Sequence, residues 1–267
     1  MNVGIAGFGT IGAEVGRRLL AGIEGLTLVG VTSGRRDVAE ARLAAMDAAH
    51  IPVLTPEDLA DRAQIIVECA PTAAFLDIVV PALKAGRQVV TVSAAALIEN
   101  MDVVDLARAH GGRIIMATGA LLGLDAVRAA ALGTIHSVTM VTRKPPRSLV
   151  GAPSIVARGI DVMALREPRL LFDGTAREGA RGFPANVNVA AALALAGIGP
   201  DATRLQIWAD PGLERNTHRI VVDADSARFE LAIENIPTEE KPGTGRITAL
   251  SMVAALKGLS EPLKVGS

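Results

Sequence analysis

Val3-Gly4-Ile5-Ala6-Gly7-Phe8-Gly9-Thr10-Ile11-Gly12 opens the chain with a short apolar run, the pattern G-x-G-x-x-G and the start of a helix-length segment, Ile11–Ala21. Strand, glycine turn and helix in that order read as the first unit of a dinucleotide-binding sheet. Gly7 permits the tight turn, Gly9 lets the backbone approach a diphosphate, and Gly12 lets the helix sit close to the strand. The helix N-terminus, with Thr10 and Ile11, offers free amides and a partial positive charge to phosphates. A glycine turn alone is a weak signal. Its strand–loop–helix setting gives it weight.

Working outward, short aliphatic runs recur at Val3–Ala6, Leu26–Val31, Ile65–Val67, Gln88–Val92 and Arg113–Ala117. Near-continuous apolar runs suit strands covered on both faces, which means parallel ones. Between them lie Ile11–Ala21, Val38–Met46, Thr72–Ala85 and Met101–His110, each long enough for a crossover helix. The expected architecture is α/β, a Rossmann-type doubly wound parallel sheet.

Beyond Gly119 the rhythm changes. Strands are expected at Ile135–Thr142, Leu205–Ala209, Arg219–Ala224 and Arg228–Ile233, the last two around an Asp225-Ser226 turn, with a helix at Asn188–Ala196. These read as neighbours in an antiparallel sheet of a second, α+β domain. Arg143–Ser154 reads as a loop and Asn235–Thr244 as a linker, and a last helix near Ile247–Lys257 is expected to return to the first domain. The resulting division is 1–118 plus 241–267 for dinucleotide binding and 119–240 for catalysis and dimerisation.

Composition narrows the function classes. The 267 residues are half apolar, and 27 basic side chains almost cancel 28 acidic ones, so no net field draws the protein to nucleic acid or an anionic membrane. Five Phe, one Trp and no Tyr leave few surfaces on which bases could stack. One cysteine, Cys69, excludes an internal disulfide and a multi-cysteine metal site. With no long apolar span and no leader-like N-terminus, the expected setting is the cytoplasm.

Cofactor choice is read at the end of the second strand. NAD-selective sites carry an Asp or Glu there for the ribose 2′-hydroxyl. This chain has Thr32-Ser33-Gly34-Arg35-Arg36, with no carboxylate until Asp37. A guanidinium can pair with a 2′-phosphate, so Ser33, Arg35 and Arg36 are expected to accept NADP(H) as well as NAD; the alternative is two solvated arginines. Ala70, after Glu68-Cys69, and Ser93-Ala94-Ala95 follow later strands, at the edge where such sheets bind ligands. Cys69 has no histidine beside it in sequence and reads as a buried apolar thiol rather than a nucleophile.

The chemical step calls for a group that exchanges a proton near the working pH, usually histidine. His50 and His110 read as helix-end residues, and His136 could point either way on its strand. His218 stands in a polar cluster, Glu214-Arg215-Asn216-Thr217-His218-Arg219, entering a strand. Thr118-Gly119-Ala120 offers a hydroxyl and amides for a nicotinamide or a substrate carboxylate, or is simply a turn. Asn186 and Asn188 are each candidates to cap the following helix, and at most one can do so. Lys144-Pro145-Pro146 reads as a rigid loop with one solvated cation.

Taken together, Gly7–Gly12, Ala117–Ala120 with Gly123–Ala126, Thr142–Pro146, Pro184–Ala192, Asn216–His218, Asn235–Glu240 and Arg246–Leu256 resemble the L-aspartate dehydrogenase family over nearly the whole chain. The resemblance implies NAD(P)-dependent oxidation of the CH–NH2 group of L-aspartate to iminoaspartate. That product either hydrolyses to oxaloacetate and ammonia or enters NAD biosynthesis. It also implies a homodimer, an active-site His218, and cofactor contacts at Ala120 and at Asn188 or Asn186. Thr118, Lys144 and Arg215 are expected to meet the substrate, and no metal is required. Departures stand at Ala117-Thr118, where the family pattern is Pro-Ser, at Leu122, where it is Gly, and at the second strand's end. Two rival readings stay open: a reductase of a related imine, keto acid or semialdehyde, and a dinucleotide-sensing protein without catalysis.

Overall fold

The computed structural model describes residues 1–184, 187–241 and 243–266. The chain forms two compact units, Met1–Gly119 with Thr248–Ser267, and Ala120–Ile247.

The first unit runs β1 (Asn2–Ala6), α1 (Thr10–Leu20), β2 (Thr27–Thr32), α2 (Arg36–Ala44), α3 (Pro56–Arg62), β3 (Ile65–Glu68), α4 (Phe75–Lys84), β4 (Gln88–Thr91), α5 (Ala94–Glu99), α6 (Asp102–His110) and β5 (Arg113–Met116). Its sheet is parallel, in the order β2-β1-β3-β4-β5. Val3, Ile5, Ile65, Val67, Val89 and Val90 are completely buried, as strands covered on both faces require. The expected doubly wound sheet is therefore borne out. Helix α3 was not anticipated, although its start is marked: Thr55 caps the Asp58 amide at 3.1 Å and Pro56 follows at the first helical position. Ser93-Ala94-Ala95 is not an open loop, because Ala94 begins α5 and all three residues are buried.

The second unit runs α7 (Leu124–Ala130), β6 (Ile135–Lys144), α8 (Pro153–Ala157), β7 (Arg169–Thr175), α9 (Ala176–Gly182), α10 (Asn188–Ala196), β8 (Arg204–Ala209), β9 (Thr217–Ala224) and β10 (Arg228–Glu234). Its sheet has the order β10-β9-β6-β8-β7. It is mixed rather than antiparallel: β8 runs parallel to β6 and does not adjoin β9. Strand β7 had not been expected; it is an edge strand of which only Leu171 is fully buried, so its apolar pattern is short. Helix α9 carries a capping box, Thr175 with Glu178, that identifies its start in hindsight.

Strand β6 continues through Arg143 and Lys144, which corrects the loop expected from Arg143. Its inward positions are Val138, Met140, Thr142 and Lys144, an unbroken alternation in which the last two side chains are polar. The helix α11 (Arg246–Ser260) joins the first unit's core through Ala249, Met252 and Leu256, as the expected return of the last helix required.

Candidate active site

In the first unit the glycine loop leaves β1 at Gly7, whose φ of +96° lies in the region open to glycine. A Cβ on Gly7 would stand 2.6 Å from the Ala70 amide nitrogen, and one on Gly12 only 2.0 Å from the Gly7 carbonyl oxygen. Those two glycines serve the fold itself. Gly9 differs: a Cβ there would meet nothing within 4 Å, and Gly9 is the N-cap of α1, giving that terminus no side-chain cap. An uncapped helix start with a bare backbone in front of it fits a dinucleotide diphosphate.

Ser33, half-buried, accepts the Arg35 amide on its hydroxyl at 3.2 Å. Arg35 and Arg36 are exposed, and Arg36 pairs with Glu40 at 2.8 Å. Ala70 donates its amide to Glu68 Oε1 at 2.9 Å. Thr118 is half-buried, and the neighbouring Gly119 amide donates to Ser251 Oγ at 3.0 Å.

Glu68, which sequence reasoning passed over, is completely buried. It receives the Thr91 hydroxyl at 2.5 Å, the Ala70 amide and a bond from Ser93, while Thr91 Oγ1 accepts the Ser93 amide at 2.9 Å. Burial raises its carboxyl above the ordinary range, despite those donors. A carboxylate ending the otherwise aliphatic run Ile65-Ile66-Val67-Glu68 was the available signal. Cys69 is half-buried and donates its thiol to the Gly7 carbonyl at 3.1 Å. Burial, with Glu68 nearby, pushes the thiol up, away from thiolate reactivity.

In the second unit His218 and Lys144 come together. His218 is 3% exposed on β9 and Lys144 is 4% exposed on β6. Burial first, and the Lys144 charge second, push the imidazole down to about 3. Burial lowers the Lys144 ammonium to about 8. The cation expected in solvent is thus inside, at the one histidine that is buried among the described residues. His136 is exposed, His110 ends α6, and His50 lies in a turn after α2 rather than at its end. Thr142 meets His218 Nδ1 at 3.1 Å, a contact that sequence spacing could not reveal.

The Ala120 carbonyl accepts Asn235 Nδ2 at 3.1 Å. Arg215 is exposed and lines a small polar cleft with Arg147, Glu214, Asn216 and Asn235. The amide oxygens of Asn216 and Asn235 are buried there without a hydrogen-bond partner among the described residues. Asn188 is the first residue of α10, and its N-cap is Val187, so Asn188 does not cap the helix. Asn186 lies outside the described residues.

A parallel sheet with this glycine loop, followed by a mixed-sheet unit holding a buried histidine and lysine, defines the class: a two-unit, NAD(P)-dependent dehydrogenase. Residues 7–117 match the family model of the homoserine dehydrogenase NAD binding domain, and residues 125–259 match that of the aspartate dehydrogenase C-terminal domain. Over its full length the chain is 56% identical to L-aspartate dehydrogenase of Bradyrhizobium diazoefficiens, covering 94% of that protein. It is also 48% identical over its full length to L-aspartate dehydrogenase 3 of Bordetella bronchiseptica, covering 98% of it. The crystal structure of aspartate dehydrogenase from Thermotoga maritima shares the fold, with a TM-score of 0.76 at 23% identity over 100% of this chain and 99% of that one. The chain belongs to the aspartate dehydrogenase family.

Proposed function

We propose that the protein oxidises L-aspartate at its CH–NH2 group with NAD(P)+, giving iminoaspartate and then, with water, oxaloacetate and ammonia. The observation that carries this reading is full-length similarity, at 56% identity, to an L-aspartate dehydrogenase. No particular observation favours an imine reductase or a silent nucleotide sensor.

The bound dinucleotide supplies a hydride acceptor, the nicotinamide ring. Gly9, with the amides of Thr10 and Ile11, would hold its diphosphate, in a turn that Gly7 and Gly12 keep tight against the sheet. Ala70, Ala120 and Asn188 are further contacts, and Asn186 is an alternative to Asn188. Before hydride can leave the substrate Cα, the substrate ammonium must lose a proton so that its lone pair can stabilise the developing imine. His218 takes that proton, or activates the water that attacks the imine carbon. A dicarboxylate brings two negative charges, which offset the Lys144 field and make the imidazole a better base once substrate is bound. Lys144, with Arg215 and Thr118, receives the carboxylates: opposite charges attract strongly where water is excluded.

We further propose that NADP+ is used as well as NAD+, with Ser33, Arg35 and Arg36 around the 2′-phosphate, Arg36 exchanging its Glu40 partner for it. The family resemblance also supports a homodimer and a role in pyridine nucleotide biosynthesis, in the cytoplasm where that nucleotide pool is drawn upon.

Reduction of NAD+ and NADP+ across a panel of L-amino acids tests the reading. L-Aspartate should give the highest kcat/KM; turnover confined to another amino acid would overturn the substrate assignment. Replacing Arg35 and Arg36 with Ala should raise KM for NADP+ roughly 10-fold or more, one charge-assisted hydrogen bond being worth about 1.5–3 kcal/mol. KM for NAD+ should stay in place. Equal effects on both cofactors would show that the arginines do not read the 2′-phosphate.

A further inference from the structure

Thr142 and His218 are directly paired across β6 and β9. Residues so paired in an antiparallel ladder hold their side chains close together on one face of the sheet. Here the pair faces inward, Thr142 2% and His218 3% exposed, among Met140, Val138, Ile220 and Val222. A valine would match the threonine in shape and suit that apolar face better; a buried hydroxyl is costly unless it is hydrogen-bonded. The hydroxyl has its partner in Nδ1 of His218, at 3.1 Å. Because threonine is branched at Cβ, its χ1 is stiff, so the oxygen is held against one chosen ring nitrogen.

That choice has a chemical consequence. A neutral imidazole carries one hydrogen, and the hydrogen bond made by one nitrogen determines what the other can do. If Nδ1 accepted from the threonine, the hydrogen would be on Nε2, which could then take no proton from a substrate. The hydroxyl can serve the 3.1 Å contact in either sense; when Nδ1–H donates to Thr142 Oγ1, Nε2 keeps its lone pair, and only this sense suits a base acting through Nε2. A free imidazole in water favours the Nε2–H form, so a base acting through Nε2 needs a neighbour that reverses this preference.

We propose that Thr142 is a positioning residue that holds the His218 hydrogen on Nδ1 and so leaves Nε2 as the basic nitrogen. The inference rests on the reading of His218 as the proton acceptor and adds the residue that prepares it. Lys144, two positions along the same face of β6, acts in concert: its charge opposes a second proton on the ring.

The test is the ring nitrogen spectrum of the full chain carrying 15N-histidine, with His218 assigned by its loss in H218A. The wild type should show Nδ1 protonated and Nε2 unprotonated. Thr142→Val should move the ring toward the Nε2–H form and lower kcat roughly 10–100-fold, within the range of general-base effects, with KM for L-aspartate unchanged. Thr142→Ser should restore both the spectrum and kcat. An Nε2–H ring in the wild type, or a Thr142→Val protein with unaltered kcat, overturns the proposal. Should the valine variant fail to fold, the wild-type spectrum decides. A wild-type protein inactive on L-aspartate would break the substrate reading while leaving the tautomer assignment to stand or fall on the spectrum.

Discussion

Each unit buries a titratable group near a strand end, Glu68 in the first and His218 in the second, and the two are built differently. Glu68, at the end of β3, is enclosed by donors of its own unit: the Thr91 hydroxyl, the Ala70 amide and Ser93. It ties the end of β3 to β4 and to the turn that follows β3. His218, on β9, has the Thr142 hydroxyl at Nδ1 and the Lys144 charge nearby. Burial disfavours the charged form of both, but Glu68 accepts from donors of its own unit and is a structural tie, whereas a neutral imidazole keeps a lone pair for chemistry. The lesson is that a shifted pKa identifies a strained environment, and the partners decide whether that environment serves the fold or the reaction.

The contrast can be broken by mutation. Replacing His218 with Ala should have the largest effect, a fall in kcat of roughly 10²–10⁴-fold with NAD(P)+ binding retained by calorimetry. A variant turning over at the wild-type rate would remove His218 from the chemistry.

Lys144→Met comes next. It should raise KM for L-aspartate by roughly 30-fold or more, since losing one partner of a buried charge pair costs about 2–5 kcal/mol. It also removes the charge that opposes protonation of His218. The acid limb of kcat/KM should therefore move to higher pH. An unmoved limb with an unmoved KM would separate Lys144 from the site.

Glu68→Gln should leave kcat nearly intact and act on stability. A carboxyl whose folded pKa is raised contributes stability fully present below about 4.5, lost as pH rises through the folded value. The glutamine variant lacks that loss, so its Tm relative to wild type should climb as pH rises above 4.5. His218 has the opposite sign: with its folded value at about 3 against 6.5, its contribution is full above 6.5 and is lost as pH falls toward 3. Hence H218A should gain on wild type as the solution is acidified, and Glu68→Gln as it is made alkaline. A kcat loss in Glu68→Gln as deep as that of H218A would erase the distinction drawn between the two sites.

The parallel unit was the more legible half. Its strands are aliphatic on both faces, so each stands out as a run without reference to any partner, and the glycine loop marks where the first ends. In the mixed unit each strand shows the core one face only, and the edge strand β7 buries little, so its pattern is short and broken by Asp173 and Gly174. Lys144 was misread for a related reason. A lysine after an arginine and before two prolines has the composition of a loop, while the alternation Val138, Met140, Thr142, Lys144 belongs to a strand that continues inward.

Local sequence determined what depends on neighbours in the chain: the glycine turn, the apolar periods, the loss of an acidic residue after β2 and the polar cluster around His218. Tertiary structure alone decided what depends on residues far apart: the pairing of Thr142 with His218 across 76 positions, the burial of Lys144 beside them, and the enclosure of Glu68 by Thr91. The reason is physical. Backbone preferences act over a few residues, whereas burial, desolvation and a hydrogen bond between strands exist only once the sheet has assembled.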